Sequence, residues 1–319
     1  MKFVNSFIKE LLRSLPKILY VLGILYVVTA GALWGSGGVP VRISYNYGMN
    51  ALTLATLRIT IASLFMAIFA IARGRKDVFF LKKREFFPSF ISGLFGVAIC
   101  FTAAALAMGR IPIGLTFVLI NTAPLWVMSL AWVFWHQRVT RFQVVALVMG
   151  IWGVWVAVGG VRLQPYNVLG LLAGLGAGLG YAIYVLNGKH GMGRTDPFKA
   201  YVQMFFWGAL CLWVMVFLTG EIRGIVVKHW QAWLSILYIT LFSDIGGYAF
   251  LMLALRVIPG GVAAIVSMSE IPFSMLWSWL FLAEIPTRNA FQGGTMIILA
   301  VTLLSLERCS FRREIKENH

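Results

Sequence analysis

Apolar side chains run along the chain in blocks of about 20 residues, the length a helix needs to cross about 30 Å of hydrocarbon. Short polar stretches separate them. The pattern predicts an all-α membrane protein with ten transmembrane helices, over residues 18–38, 51–72, 89–109, 112–135, 142–160, 168–187, 198–219, 232–254, 260–283 and 289–306. Many of the connections are under ten residues, so each helix runs antiparallel to the next and no separate soluble domain fits between them. Ahead of the first block, Phe3, Val4, Phe7, Ile8, Leu11, Leu12 and Leu15 recur at helical spacing while Lys2, Lys9, Glu10 and Arg13 lie mostly elsewhere. Residues 1–17 are therefore expected to form an amphipathic interfacial helix ended by Pro16. Ala30-Gly31-Ala32 imitates a leader cleavage site, but the basic segment before it is too long for one. Residues 307–319 form a polar tail.

Composition agrees with a bilayer environment. The chain is 60% apolar and 12% charged, whereas soluble domains sit near 45–50% and 25%. The formal charge of +16 would suggest nucleic acid if the basic residues shared one face, but they fall between the apolar blocks. Numbering the flanks alternately from the N-terminus puts 20 Lys and Arg on the first side and six (Arg42, Arg110, Arg162, Arg223, Lys228 and Arg288) on the second. Arg58 lies inside helix 2. Basic residues collect on the cytoplasmic side, so both termini are expected there, with attraction to anionic lipid as a secondary effect. Cys100, Cys211 and Cys309 supply neither a disulfide framework nor a metal-ligand spacing.

The two halves of the chain echo one another. Leu106-Ala107, Pro112, Gly114 and Thr140 match Leu253-Ala254, Pro259, Gly261 and Thr287 at an offset of 147, while Pro124 and Pro272 differ by 148, as though one residue had been added within helix 9. Five spans per half turn the second copy upside down, giving a 5+5 inverted repeat, with units over 18–160 and 168–306. Such repeats let a transporter exchange two related conformations around a site near mid-membrane.

Trp34-Gly35-Ser36, Leu57-Arg58, the helices carrying Pro124 and Pro272, Gly180-Tyr181-Ala182 and Leu282-Ala283-Glu284 together resemble the EamA-type members of the drug/metabolite transporter superfamily, over about residues 20–306. The chain departs from that pattern at Gln137, where the second copy has Glu284, and in carrying Asp244 in helix 8. The resemblance implies a multi-pass exporter of small metabolites, amino acids or related compounds, in a bacterial inner membrane. It also implies alternating access around a cavity formed mainly by helices 1, 3, 4, 6, 8 and 9.

Ionisable residues deep in a span cost about 2.5–3.5 kcal/mol each on insertion scales and so face a cavity or a partner. Asp244 and Glu270 are the candidate substrate- or proton-binding carboxylates. Arg58 is expected to be a charge partner or a structural residue near a surface. Asn121, just before Pro124, stands nearly where Glu270 stands before Pro272, so one wall of the site would be negative and the other neutral. Trp34, Ser36, Tyr181, Tyr184 and Tyr248 are candidate lining residues, since aromatic walls suit amphipathic cations. Gly170, Gly174 and Gly178 form a small-residue row for close packing; no Gly-Lys-Ser/Thr follows, which excludes a phosphate loop. Gly35, Gly37 and Gly38 before Pro40 are expected to make a flexible end of helix 1.

An intramembrane protease is excluded by the absence of a rhomboid-like Gly-x-Ser-Gly and of a second deep aspartate to partner Asp244. The sequence thus points to a secondary transporter without cofactor, catalytic residue or metal, acting as a monomer or homodimer on a small metabolite, with protons as candidate coupling ions. Uptake or exchange by the same machinery, and a non-transporting scaffold or channel, are the alternatives.

Overall fold

In a computed structural model, which describes residues 2–136, 140–159, 166–191, 195–222, 227–258, 263 and 266–317, the chain is built from helices with no strand among the described residues. In order these are α1 (Lys2–Ser36), α2 (Gly38–Asn46), α3 (Ala51–Ala72), α4 (Lys83–Ile91), α5 (Cys100–Met108), α6 (Ile113–Ile120), α7 (Ala123–Trp135) and α8 (Arg141–Ala157). They continue as α9 (Val168–His190), α10 (Pro197–Thr219), α11 (Trp230–Tyr238), α12 (Gly247–Ala254), α13 (Glu270–Leu282) and α14 (Arg288–Glu317). Among the described residues seven stretches are long and apolar enough to cross a bilayer: Ile18–Asn46, Ala51–Ala72, Lys83–Met108, Ile113–Phe134, Val168–Asn187, Pro197–Thr219 and Trp230–Ala254. Val144–Ala157 is a shorter apolar helix. The chain is a multi-pass membrane protein.

Two sequence expectations about helix 1 are corrected. Pro16 does not end a separate helix: α1 continues through it to Ser36, because one missing N–H costs a single hydrogen bond while the helix on either side is intact. Nor is the glycine cluster a flexible end. The helix resumes at Gly38 and runs to Asn46, and a Cβ on Gly35 would lie 2.8 Å from Glu270 O and from Ser274 N. These glycines let helix backbones cross closely, the usual basis of association where lipid is as apolar as the side chains.

Element boundaries repeat at a spacing of 147: α4 with α11, α7 with α13, and the ends of α3 and α10 at Ala72 and Thr219. Between α4 and α5, Ser92–Ile99 is wound as π-helix, and Ile239–Gly246, at the same spacing, is wound likewise between α11 and α12. Each such turn holds an extra residue and re-aims the side chains after it. Both α7 and α13 have 13 residues, so no residue has been added to the second; Pro272 stands one place further into its helix than Pro124. Both end in a left-handed residue, His136 (φ 49°) and Ala283 (φ 54°). Gln137, Pro259 and Gly261, named above, lie outside the described residues.

Packing pairs follow the same spacing: α5 packs on α9 as α12 packs on α1, α7 on α9 as α13 on α1, while α3 meets α10 and α8 meets α14. Asn50, the N-cap of α3, donates to Glu221 just beyond α10, and Asp196, the N-cap of α10, accepts from Arg75 just beyond α3. The α3–α10 pair is thereby fastened at both ends. Ile68, Ile151, Trp152 and Phe217 are exposed on the outside, a surface suited to lipid tails.

Candidate functional site

Two of the expected spans are broken at their middles. Between α6 and α7 the chain turns at Asn121 and Thr122, and ahead of α13 it turns at Met268 and Ser269. A proline shortly after each break supplies no N–H to the preceding turn. The second break places Glu270 in the first turn of α13, where the positive end of the helix dipole favours a carboxylate.

These breaks border a cavity of about 460 Å³, the interior feature that brings most of the candidate residues together: Trp34, Asn121, Tyr181, Asp244, Tyr248 and Glu270 all line it. Arg58 lines it too. Asn121 Nδ2 donates to Glu270 Oε1 at 2.5 Å and to the Phe117 carbonyl at 3.0 Å. The amide that sequence reasoning set opposite the carboxylate is therefore its partner, holding one oxygen in place.

Arg58 is not at a surface: it is 7% exposed and its Nη2 donates to Asp244 Oδ1 at 2.9 Å. The Phe101 ring lies under the guanidinium, 4.4 Å from its carbon. Tyr201 donates to the Asp244 carbonyl at 2.9 Å, so the re-aimed π-helical turn carrying Asp244 is fixed by α10 as well as by α3. Trp34 packs edge-on against Tyr248 at 5.3 Å between centroids, close enough to Gly247 that any Cβ there would collide with the indole.

Two expected lining residues are elsewhere. Ser36 is turned away, bonded to the Leu33 carbonyl and to the Tyr238 hydroxyl at 2.9 Å. Tyr184 packs against the buried cluster formed by α3, α10 and the first π-helical segment, and its ring meets Tyr181 at 5.9 Å. Helical periodicity put both on plausible faces, but the break after Ser36 and the close approach of Gly96 to Tyr184 decide otherwise. Sequence reasoning missed Cys100, Phe101, Met108, Phe117 and Leu251, which form much of the apolar wall. Nothing in their apolar character separates them from lipid-facing neighbours; the offset of 147, which sets Cys100 at the start of α5 as Gly247 starts α12, was the available signal.

On one face, beyond Val41 and Met108, an ion pair closes over the wall. Arg42 Nη1 lies 2.9 Å from Glu284 Oε1, while its Nε and Nη2 donate to the carbonyls of Met108 and Ile111 at 2.7 and 2.9 Å. Glu284 Oε2 accepts from the Ile113 N–H at 3.1 Å, one of the donors left free at the start of α6. This clasp joins α2, the end of α5, the start of α6 and the turn after α13.

Chemically, the cavity holds one carboxylate fixed by an amide, one internally neutralised ion pair, and apolar and aromatic walls. Among the described residues no cluster of His, Cys, Asp and Glu could hold a metal ion. The arrangement suits recognition of an amphipathic solute.

Comparison with known proteins finds transporters. The profile of the EamA-like transporter family matches residues 21–159 and again residues 168–306. An uncharacterized transporter of Archaeoglobus fulgidus is 24% identical over 276 residues, covering 86% of this chain and 95% of that protein. The Bacillus subtilis uncharacterized transporters YdfC and YvbV are 24% and 23% identical, covering 86% and 92% of this chain and 88% and 94% of their own lengths. A solved structure titled only as the crystal structure of a protein superposes with a TM-score of 0.56 at 16% identity, over 92% of this chain and 97% of that one; it shares the fold.

Proposed function

The chain belongs to the EamA-like transporter family, and on that premise we propose that it is a secondary active exporter of small amine-bearing, amphipathic metabolites, working by alternating access with proton antiport. In this reading ten spans form a 5+5 inverted repeat in a bacterial inner membrane, with both termini cytoplasmic. The constant spacing of element boundaries supports the repeat, and the distribution of Lys and Arg supports the orientation.

The observation that carries the proposal is Glu270. It lies at a mid-span helix break, lines a cavity of about 460 Å³ and is held by Asn121. Asp244 is already matched by Arg58, so Glu270 supplies the cavity's uncompensated negative charge. An organic ammonium and a proton compete for it: export of the amine requires deprotonated Glu270, and release outward follows when a proton from that side takes its place. Trp34, Tyr248 and Tyr181 offer π-faces to the cation.

The test is proton efflux from energised everted vesicles, monitored by dequenching of a pH-sensitive dye, on addition of hexylamine, tyramine and related primary amines. Amine-dependent dequenching that disappears in Glu270→Gln supports the proposal. Dequenching that is equal in Glu270→Gln and in the parent, or absent with every amine, removes it.

A further inference from the structure

We propose that Arg58 and Asp244 form a second, charge-neutral subsite of the same cavity, which takes a group that both accepts and donates hydrogen bonds, a carboxamide above all. The inference rests on the transport reading above only in taking the cavity to be the substrate site.

The argument begins with what the other half of the chain does at the same place. At the spacing of 147, Arg58 corresponds to Phe205 and Asp244 to Val97. Phe205 and Val97 are fully buried members of one hydrophobic cluster, at the junction of α10 with the first π-helical segment. The same helix junction is thus filled in one half by an apolar pair and in the other by an ion pair. Packing alone does not require the charges, since buried ion pairs gain little over apolar residues of similar volume. The ion pair also borders the cavity, whereas Val97 and Phe205 do not.

The hydrogen-bonding inventory then specifies the ligand. Arg58 Nη2 and Asp244 Oδ1 satisfy each other, and Phe101 covers a face of the guanidinium. Arg58 Nε and Asp244 Oδ2 find no hydrogen-bond partner among the described residues, although the two residues are only 7% and 2% exposed. The subsite therefore offers an unpaired acceptor, Asp244 Oδ2, beside the unpaired Nε–H of a guanidinium that uses only one of its five N–H groups on Asp244, with no net charge. Buried polar groups are normally paired, and a carboxamide pairs both, its carbonyl accepting from Nε–H and its NH2 donating to Oδ2. A carboxylate would leave Oδ2 unpaired and add a charge; an ammonium would leave Nε unpaired.

Three probes separate this subsite from the carboxylate of Glu270: hexylamine, hexanamide and 6-aminohexanamide, each titrated against the purified full-length protein by calorimetry. The expected result is 6-aminohexanamide binding at least about tenfold more tightly than hexylamine, with the ratio falling to about one in the Arg58→Phe/Asp244→Val double variant, which copies the apolar pair of the other half. Asp244→Asn alone is expected to reduce the ratio, and the contrast in the unaltered protein stands whether or not either variant folds. Equal affinity of the two amines in the unaltered protein overturns the subsite, as does a ratio that survives the double variant, or failure of all three probes to bind. If hexanamide binds while neither amine adds affinity through its ammonium, the subsite stands and the role given to Glu270 falls.

Discussion

Glu284→Gln is expected to open the clasp and expose the cavity from the side opposite the termini. The substitution keeps the shape of the side chain and its capacity to accept from the Ile113 N–H, but removes the charge that Arg42 meets at 2.9 Å. A hydrogen bond to a charged group contributes about 1.5–3 kcal/mol. With the two side chains 28% and 20% exposed, solvent screening leaves about 1–1.5 kcal/mol of that. If the clasp forms only in the closed state, the whole of this difference shifts the equilibrium, because a contact made equally in both states shifts nothing. The closed population should then lose a factor of about 5–10 relative to the open one.

Cys100 lines the cavity and is 6% exposed, so it reports the opening directly once Cys211 and Cys309 have been replaced by alanine. Right-side-out vesicles carrying the single-thiol protein would be treated with a membrane-impermeant maleimide, and the labelling rate compared with that of Glu284→Gln. A rate about 5–10 times higher is expected, with an increase at least as large for Arg42→Gln, which also loses the bonds to the Met108 and Ile111 carbonyls, and no increase beyond that of Arg42→Gln in the double variant, since the ion pair is already broken. An unchanged rate, additive single effects, or acceleration only from the opposite face refutes the clasp.

Asn121→Ala removes the amide that donates to Glu270 and should weaken hexylamine binding by about 1–2 kcal/mol, or about 5–30-fold, read by calorimetry; unaltered affinity would mean the amide does not position the carboxylate. Gly247→Val forces a branched side chain into the Trp34 indole, and this overpacking should cost about 1–3 kcal/mol, lowering the apparent melting temperature in detergent. At the turn after α3 and the N-cap of α10, Arg75 holds Asp77 below its ordinary 3.8, and Asp196 is lowered by the Lys199 N–H first and Arg75 next. Depressed carboxylates stabilise above the ordinary value and lose that contribution as pH falls through the lowered one. Amide exchange in residues 75–80, corrected for its intrinsic pH dependence, should therefore stay level from pH 8 to about 5 and rise only below about 4.

What the sequence made legible was set by a length or a cost. Span length marked the long helices, and the expense of charge in a bilayer singled out Asp244, Glu270 and Arg58, which the fold does bring to one cavity. What the sequence left obscure follows from the same chemistry. When every face of a helix is apolar, periodicity cannot separate a cavity wall from a lipid-facing surface, so Phe101 and Leu251 were indistinguishable from exposed residues such as Phe217. Ser36 and Tyr184 were misplaced because a helix break and a close glycine crossing rotate side chains by amounts that local sequence does not encode. The π-helical turns, which aim Asp244 at Arg58, left no compositional trace at all.

The residues that break the repeat are more informative than those that keep it. Helix ends, π-helical turns and left-handed caps recur at 147 residues, and these set the geometry of the scaffold. The charges do not recur: Glu270, Asp244, Arg58 and Glu284 have Ala123, Val97, Phe205 and Gln137 at the corresponding positions. In the proposed alternating-access cycle, a scaffold of two similar halves would give two similar conformations and therefore no preference between the faces. Unpaired replacements would supply that preference, because a charge present in one half interacts differently in each conformation. If Glu270 and the Arg42–Glu284 clasp set which face opens and when, then removing charge from either should change the balance between conformations while leaving the helical scaffold intact.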